Sequence, residues 1–189
     1  MDKDLSSYVK VYKNAVPEDI CKSTIEDLEK VLFVKHSYQN TITNTFDSYD
    51  DDLSVFTDTD NKIKNDANIL KISGKTFRSY IEDLSFSWWG KIQGYIPIRY
   101  NKYDENTLMR NHCDHIHSMF DGPRKGIPIL SLVGLLNNDF QGGDFIMFDN
   151  EKIYLSAGDI VIFPSNFLYP HKVTKITKGT RYSYVTWAA

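Results

Sequence analysis

The stretch Arg110–Ser118, RNHCDHIHS, packs three of the chain's five histidines and one aspartate into nine residues. Imidazole and carboxylate are metal-ligating groups, so the question is which of these side chains can meet on one cation. His112 and Asp114 are separated by a single residue. On a β-strand, side chains i and i+2 share a face, so this pair could grip one ion while Cys113, read as a small core residue, points the other way. A second histidine from elsewhere would complete a two-histidine, one-carboxylate face that leaves positions open on non-haem Fe(II). The same donors can hold Zn2+ with an open position. His115 and His117 have no carboxylate at matching spacing and run into the turn-like FDGPRKG. They are read as structural or substrate-facing residues. His36, in a polar context after the first helix, is read as a surface residue. His171 follows GDIVIFPSNFLYP, a buried-looking strand ending in a turn, and opens a new β-like run.

Ten residues after His171 stands Arg181, in the closing segment TRYSYVTWAA. Alternation puts Arg181, Ser183, Val185 and Trp187 on one face and Tyr182, Tyr184 and Thr186 on the other. An arginine on a largely apolar face requires an anion, because an unpaired buried charge is costly. Its planar fork matches a carboxylate through two parallel hydrogen bonds, so a dicarboxylic cosubstrate would supply the partner.

The ordered set of HCD, then HKVTKITKGTR some 57 residues later, with LLNNDFQGGDF and AGDIVIFPS between, resembles the 2-oxoglutarate/Fe(II)-dependent dioxygenases, in particular their prolyl 4-hydroxylase-like branch. The likeness covers roughly Gly94–Trp187. It implies a mainly β fold with supporting helices: a double-stranded β-helix (jelly-roll, cupin-like) core with N-terminal helices packed on one sheet. It implies Fe(II) held by His112, Asp114 and His171, the far carboxylate of 2-oxoglutarate bound by Arg181, and added contacts from Ser183 and Tyr103, with Tyr100 as the competing tyrosine. The implied reaction is O2-dependent hydroxylation of an unactivated C–H bond, with 2-oxoglutarate converted to succinate and CO2 and ascorbate as an accessory reductant. Halogenating relatives carry a small residue in place of the aspartate, so Asp114 favours hydroxylation. The chain departs from the branch at Leu108 and Met109, where a tyrosine commonly precedes the metal motif, and at Val185, which lacks the hydroxyl that some members use.

These residues need a scaffold. VPEDICKSTIEDLEKVLF places Ile20, Ile25, Leu28, Val31 and Leu32 near the helical period, with Pro17, Glu18 and Asp19 suited to a first turn. A second helical pattern runs over roughly Ile69–Trp88. From Gly94 onward, short β-branched and aromatic segments alternate with Gly, Pro and Asn, which predicts a barrel or sandwich. Gly142-Gly143 is read as the turn of a hairpin and Gly158-Asp159 as another turn. Residues 47–60 read as an acidic solvated loop with room for a short strand or turn inside, without the glycine and closing glutamate of a calcium loop, and Trp88-Trp89 as core or interface. One domain over 1–189 is expected, with about 1–90 as support and about 91–189 as the core carrying the metal.

Composition sets the outer limits. A net charge of −3, with no lysine or arginine stripe, disfavours nucleic-acid binding. Two cysteines are too few for a disulfide framework, and neither a signal peptide nor a membrane span is legible, so a cytoplasmic enzyme acting on a peptide, protein or small molecule is expected. The oligomeric state is not legible. A prolyl residue, a free amino acid, a metabolite and a nucleobase all stay open as targets. Two other classes use the same donors: a non-catalytic cupin-like binding module, and a zinc hydrolase in which Arg181 would have no role.

Overall fold

A computed structural model describes residues 4–40, 43, 45–86, 92, 94–114 and 129–189. Trp88, Trp89, His115, His117 and the FDGPRKG segment lie outside them. After a 3-10 turn, the first half of the chain forms β1 (Lys10–Tyr12), α1 (Glu18–Leu28), β2 (Val34–Lys35), β3 (Tyr38–Asn40), β4 (Thr45–Asp47), β5 (Ser54–Thr57) and α2 (Asp66–Leu84). The second half is strands: β6 (Arg99–Tyr103), β7 (Met109–His112), β8 (Leu130–Leu135), β9 (Gln141–Gly142), β10 (Phe145–Met147), β11 (Glu151–Ile153), β12 (Ile160–Pro164), β13 (His171–Val173), β14 (Ile176–Lys178) and β15 (Arg181–Ala188).

Both helices form where the sequence pattern places them, but α1 ends at Leu28, so Val31 and Leu32 of its expected apolar face lie beyond it and Leu32 is exposed. α1 starts behind Pro17 with Glu18 and Asp19 in its first turn, where carboxylates meet the positive end of the helix dipole, and buries Cys21, Thr24 and Leu28 at helical spacing. α2 buries Ile69, Ser73, Phe77 and Tyr80 and stops at Ser85 in the left-handed conformation, earlier than the apolar pattern suggested.

The strands form a seven-stranded antiparallel sheet in the order β1-β12-β8-β15-β6-β5-β2 and a four-stranded sheet in the order β11-β10-β13-β7. Two apolar clusters place the layers. One joins Leu28, Ile69, Phe77 and Tyr80 of the helices to Tyr100, Leu132, Ile162 and Tyr184 of the large sheet. The other joins Tyr103, Val133, Val161, Phe163 and Val185 of that sheet to Met109, Phe145, Met147 and Val173 of the small one. The large sheet is thus covered on both faces, which is why β8 is buried along its whole length. β15 alternates as expected, with Val185 in the inter-sheet cluster and Tyr182 and Tyr184 against the helices. Gly134 makes this packing possible, since a Cβ there would lie 2.1 Å from the Tyr184 ring.

The Gly142-Gly143 reading is corrected. Gly142 is the end of β9, paired with Ile176 of β14, and the chain continues from there into the small sheet rather than folding back on itself. Both glycines have positive φ. The physical requirement is close approach: a Cβ at Gly143 would fall 2.4 Å from Ile176 Cδ1 and 3.0 Å from Arg181 Cδ. Gly158, by contrast, does lie in a turn, and the carboxylate of Asp159 beside it accepts from Lys13 and from the backbone of Asn14 and Ser156.

Candidate metal centre

Strand register assembles the site. In the small sheet His171 pairs directly with His112, which brings the two imidazoles to a centroid separation of 4.3 Å. β7 ends at His112, so Asp114 is not on the strand face expected for an i, i+2 pair; it lies just past the strand and turns back toward the histidines. Its Oδ1 is 3.6 Å from His112 Nε2 and 4.0 Å from His171 Nε2. All three ligand atoms lie within 4.8 Å of one another, and among the described residues this is the single grouping able to hold a metal ion.

Each ligand is oriented by its other polar atom. His112 Nδ1 lies 2.9 Å from the carbonyl of Arg110, and His171 Nδ1 lies 3.1 Å from the carbonyl of Tyr169. A carbonyl only accepts, so both Nδ1 atoms carry the proton and both Nε2 lone pairs face the cluster. Asp114 Oδ2 accepts from Ser131 Oγ at 2.5 Å and from Trp187 Nε1 at 3.0 Å, which leaves Oδ1 toward the imidazoles. Ser131 and Trp187 are direct cross-strand partners in the large sheet, so one register position there supplies both donors. The two sheets meet at Asp114: the histidines come from one, the carboxylate's anchors from the other. Phe163 and Phe145 pack on His171 at 4.9 and 5.5 Å and restrict its ring.

The electrostatics suit a divalent cation. Burial and the neighbouring His171 push the His112 imidazole down to about 4, so its ring is neutral near pH 7. For Asp114, burial works to raise the pKa, but His171, His112 and the bonds from Ser131 and Trp187 outweigh it and hold the carboxyl below its usual range. Two imidazole nitrogens and one carboxylate oxygen fit a hard-to-borderline divalent ion such as Fe(II).

Arg181 is fully buried, and its Nη1 donates to Ser183 Oγ at 2.8 Å. The guanidinium lies 5.0 Å from the Tyr103 ring, and Tyr103 is its partner across the β15–β6 ladder. Arg181 Nε has no hydrogen-bond partner, and among the described residues no carboxylate pairs with this cation. A buried guanidinium with spare donors fits the far end of a dicarboxylate. Tyr100 faces the opposite way, its hydroxyl donating to Asp66 Oδ1 at 2.9 Å on the helix side.

Three readings need correction. Residues 47–60 are not a solvated loop: Ser54–Thr57 forms β5 within the large sheet, and Asp52 and Leu53 before it are fully buried. His36 is buried, edge-on against Tyr38 at 4.6 Å, because the chain leaving β2 stays tied to the segment before β5, His36 N–H donating to the Leu53 carbonyl at 2.9 Å. Cys113 is half-exposed, with Sγ 3.4 Å from the carbonyl of Phe167, because the strand has ended before it. Sequence reasoning also missed residues around the ligands. Arg110 pairs with Asp51 and with the fully buried Asp52, and its guanidinium lies 4.3 Å from the Tyr49 ring. That arrangement ties the acidic 47–53 segment to the strand bearing His112. The hydroxyl of Tyr38 approaches Met109 Sδ at 3.3 Å from another strand. No sequence signal marks these pairs; the acidic run and the strand are distant in the chain.

Comparison with known proteins agrees with this geometry. The family model of the 2OG-Fe(II) oxygenase superfamily matches residues 98–189. A PKHD-type hydroxylase from Acinetobacter baumannii is 34% identical over 98 residues, 49% of this chain and 42% of the relative. One from Delftia acidovorans is 30% identical over 100 residues, again 49% and 42%. The chain therefore spans less than half the length of these curated relatives. Among solved structures, the prolyl hydroxylase from Trichoplax adhaerens, in complex with a hypoxia inducible factor oxygen degradation domain peptide, superposes with TM-score 0.69 at 15% identity, covering 96% of this chain and 83% of that one. The viral collagen prolyl hydroxylase of Paramecium Bursaria Chlorella virus-1, as its 2OG complex, gives 0.67 at 14%, covering 96% and 94%. At these identities the likeness is one of fold, and it identifies the two-sheet core as the jelly roll of 2OG oxygenases. His112, Asp114, His171 and Arg181 all lie inside the segment that resembles the 2OG-Fe(II) oxygenase superfamily, and the fold is prolyl hydroxylase-like.

Proposed function

We propose that the protein is an Fe(II)- and 2-oxoglutarate-dependent dioxygenase that hydroxylates an unactivated C–H bond, with a prolyl residue of a peptide or protein as the favoured target. The observation that carries this reading is the convergence of His112, Asp114 and His171 on one point, with the buried Arg181 and its spare donors on the neighbouring strand face. His112, Asp114 and His171 would hold Fe(II), while Arg181, supported by Ser183 and Tyr103, would hold the distal carboxylate of 2-oxoglutarate. Bound together, the metal, 2-oxoglutarate and O2 supply the oxidising chemistry, with succinate and CO2 as coproducts.

The chain's own residues bind and orient. The Nδ1–carbonyl bonds keep both imidazoles in the ligating tautomer. Ser131 and Trp187 stop Asp114 from rotating. Arg181 fixes the cosubstrate's length and angle, and the Phe145 and Phe163 rings keep water from the His171 side. The N-terminal helices buttress the large sheet, so we read residues 1–189 as one functional unit. Both cysteines are free thiols, which supports a reducing, cytoplasmic setting. Among the described residues no helix is long and apolar enough to cross a membrane.

The test is turnover with Fe(II), 2-oxoglutarate and ascorbate. Slow uncoupled succinate formation is expected, accelerated by a cognate proline-containing peptide. Failure to bind 2-oxoglutarate at millimolar concentration with metal present would overturn the reading, as would hydrolysis supported by Zn2+ and indifferent to Arg181→Ala.

A further inference from the structure

β7 reaches His112 through an irregular ladder. In its pairing with β13, Met109 opposes Val173 and His112 opposes His171, so Arg110 and Asn111 together face the single residue Lys172. This is a β-bulge, and it decides where His112 points. Strict alternation would put Met109 and Asn111 on one face and His112 on the other. The extra residue shifts that parity: Met109 packs with Val173 in the inter-sheet cluster, Asn111 is exposed, and His112 meets His171 on the inner side. In a regular ladder continuing from the Met109–Val173 pair, Asn111 would oppose His171 and the centre would lose an imidazole.

The bulge lies on an edge strand, since β7 ends the order β11-β10-β13-β7. On its outer edge Leu108 N–H donates to the Asp51 carbonyl at 2.9 Å, and the Leu108 carbonyl accepts from Leu53 N–H at 3.2 Å. Beyond Leu108 the Arg110 side chain continues this attachment. Its guanidinium pairs with Asp51 at 2.5 Å and with the fully buried Asp52, and lies 4.3 Å from the Tyr49 ring. Its own carbonyl holds His112 Nδ1 at 2.9 Å. Asp52 is fixed in turn, its Oδ2 accepting from Tyr49 N–H at 2.6 Å. One residue thus joins the 49–53 segment to the direction and tautomer of a metal ligand.

We infer that Arg110 is a positioning residue of the metal centre: clamped by Asp51 and Asp52, it holds the bulge that aims His112 at His171. The inference rests on reading His112, Asp114 and His171 as metal ligands. It assigns a share of the metal affinity to residues 49–53, which lie outside the matched segment 98–189. The physical cause is the buried Asp52 carboxylate. Without the guanidinium its charge is left uncompensated, and that cost is relieved by moving the segment or β7, either of which frees the bulge. A clamp serving stability alone would leave metal affinity untouched.

The experiment is calorimetric titration of Mn(II) into the whole chain as wild type, Arg110→Met, Arg110→Lys and Phe77→Leu. Arg110→Met is expected to weaken Mn(II) binding about tenfold, the scale for losing a group that orients a ligand. A lysine supplies one point charge instead of a fork to two carboxylates, so Arg110→Lys recovers part of that loss. Phe77→Leu, in the helix-side cluster, lowers stability but keeps Mn(II) affinity within about twofold of wild type. Hydrogen exchange read by mass spectrometry gives an independent measure, because coupling between two sites is reciprocal. Mn(II) should slow exchange of the Tyr49, Asp52 and Leu53 amides in wild type, a measurement that needs no variant to fold, and should lose that effect in Arg110→Met. Arg110→Met that binds Mn(II) as tightly as wild type, Phe77→Leu that weakens it equally, or wild-type exchange over 49–53 that ignores Mn(II) would overturn the inference. Wild-type protein with this Arg110-dependent Mn(II) binding, but no 2-oxoglutarate binding when Mn(II)-loaded, supports the clamp and overturns the oxygenase reading instead. Wild-type protein that takes up no Mn(II) overturns both.

Discussion

Replacing Trp187 by Phe keeps an aromatic ring beside Arg99, whose guanidinium lies 5.2 Å from the indole, and removes the Nε1 donor that holds Asp114 Oδ2 at 3.0 Å. Ser131→Ala removes the other donor, at 2.5 Å, from the same oxygen. A hydrogen bond to a charged group is worth about 1.5–3 kcal/mol. Loss of a group that orients a metal ligand typically costs about 10–100-fold in affinity, or about 1.4–2.8 kcal/mol, so the two scales agree. Because both donors act on one oxygen, either alone still limits carboxylate rotation, and the double variant should lose more than the sum of the singles. Mn(II) titration followed by calorimetry or paramagnetic resonance measures this, with thermal unfolding as a control for folding. Single and double variants that fold normally and bind Mn(II) as wild type does would refute the claim that the large sheet orients Asp114.

His36 sets an acid limit on stability. Burial, with Arg99 and His112 nearby, depresses its imidazole from 6.5 to about 4, so the folded state favours the neutral ring. This contributes about 3 kcal/mol above pH 6.5 that is lost as pH falls toward 4. The difference in urea unfolding free energy between metal-free wild type and His36→Leu should move by that amount against wild type from pH 7 to pH 4; a pH-independent difference sinks the assignment. Arg110→Met leaves the fully buried Asp52 without its guanidinium, and since Arg110 itself is partly exposed the cost should be about 2–3 kcal/mol in urea unfolding. A change within experimental error would mean that the pair is ornamental to stability. Gly143→Ala forces a Cβ into Ile176 and Arg181 at positive φ; we expect about 1–3 kcal/mol lost in thermal unfolding and weaker 2-oxoglutarate binding, whereas wild-type values for both would show that the chain relaxes there freely.

The sequence by itself determined which residue types carry chemistry and which strands carry them. Alternation in TRYSYVTWAA separated Arg181, Ser183 and Trp187 from Tyr182 and Tyr184, because period-2 geometry is local. Helical periodicity likewise found α1 and α2, though not the end of α2, which depends on a single left-handed residue. What the chain could not disclose is pairing between distant strands. His171 meets His112 through the register of β13 on β7, and Ser131 meets Trp187 through β8 on β15. The burial of His36, the exposure of Cys113 and the Arg110–Asp52 clamp depend on the same long-range placement. Only tertiary structure decided these. Backbone hydrogen bonds are alike at every register, and the inter-sheet core that selects one register is contributed by segments far apart in the chain.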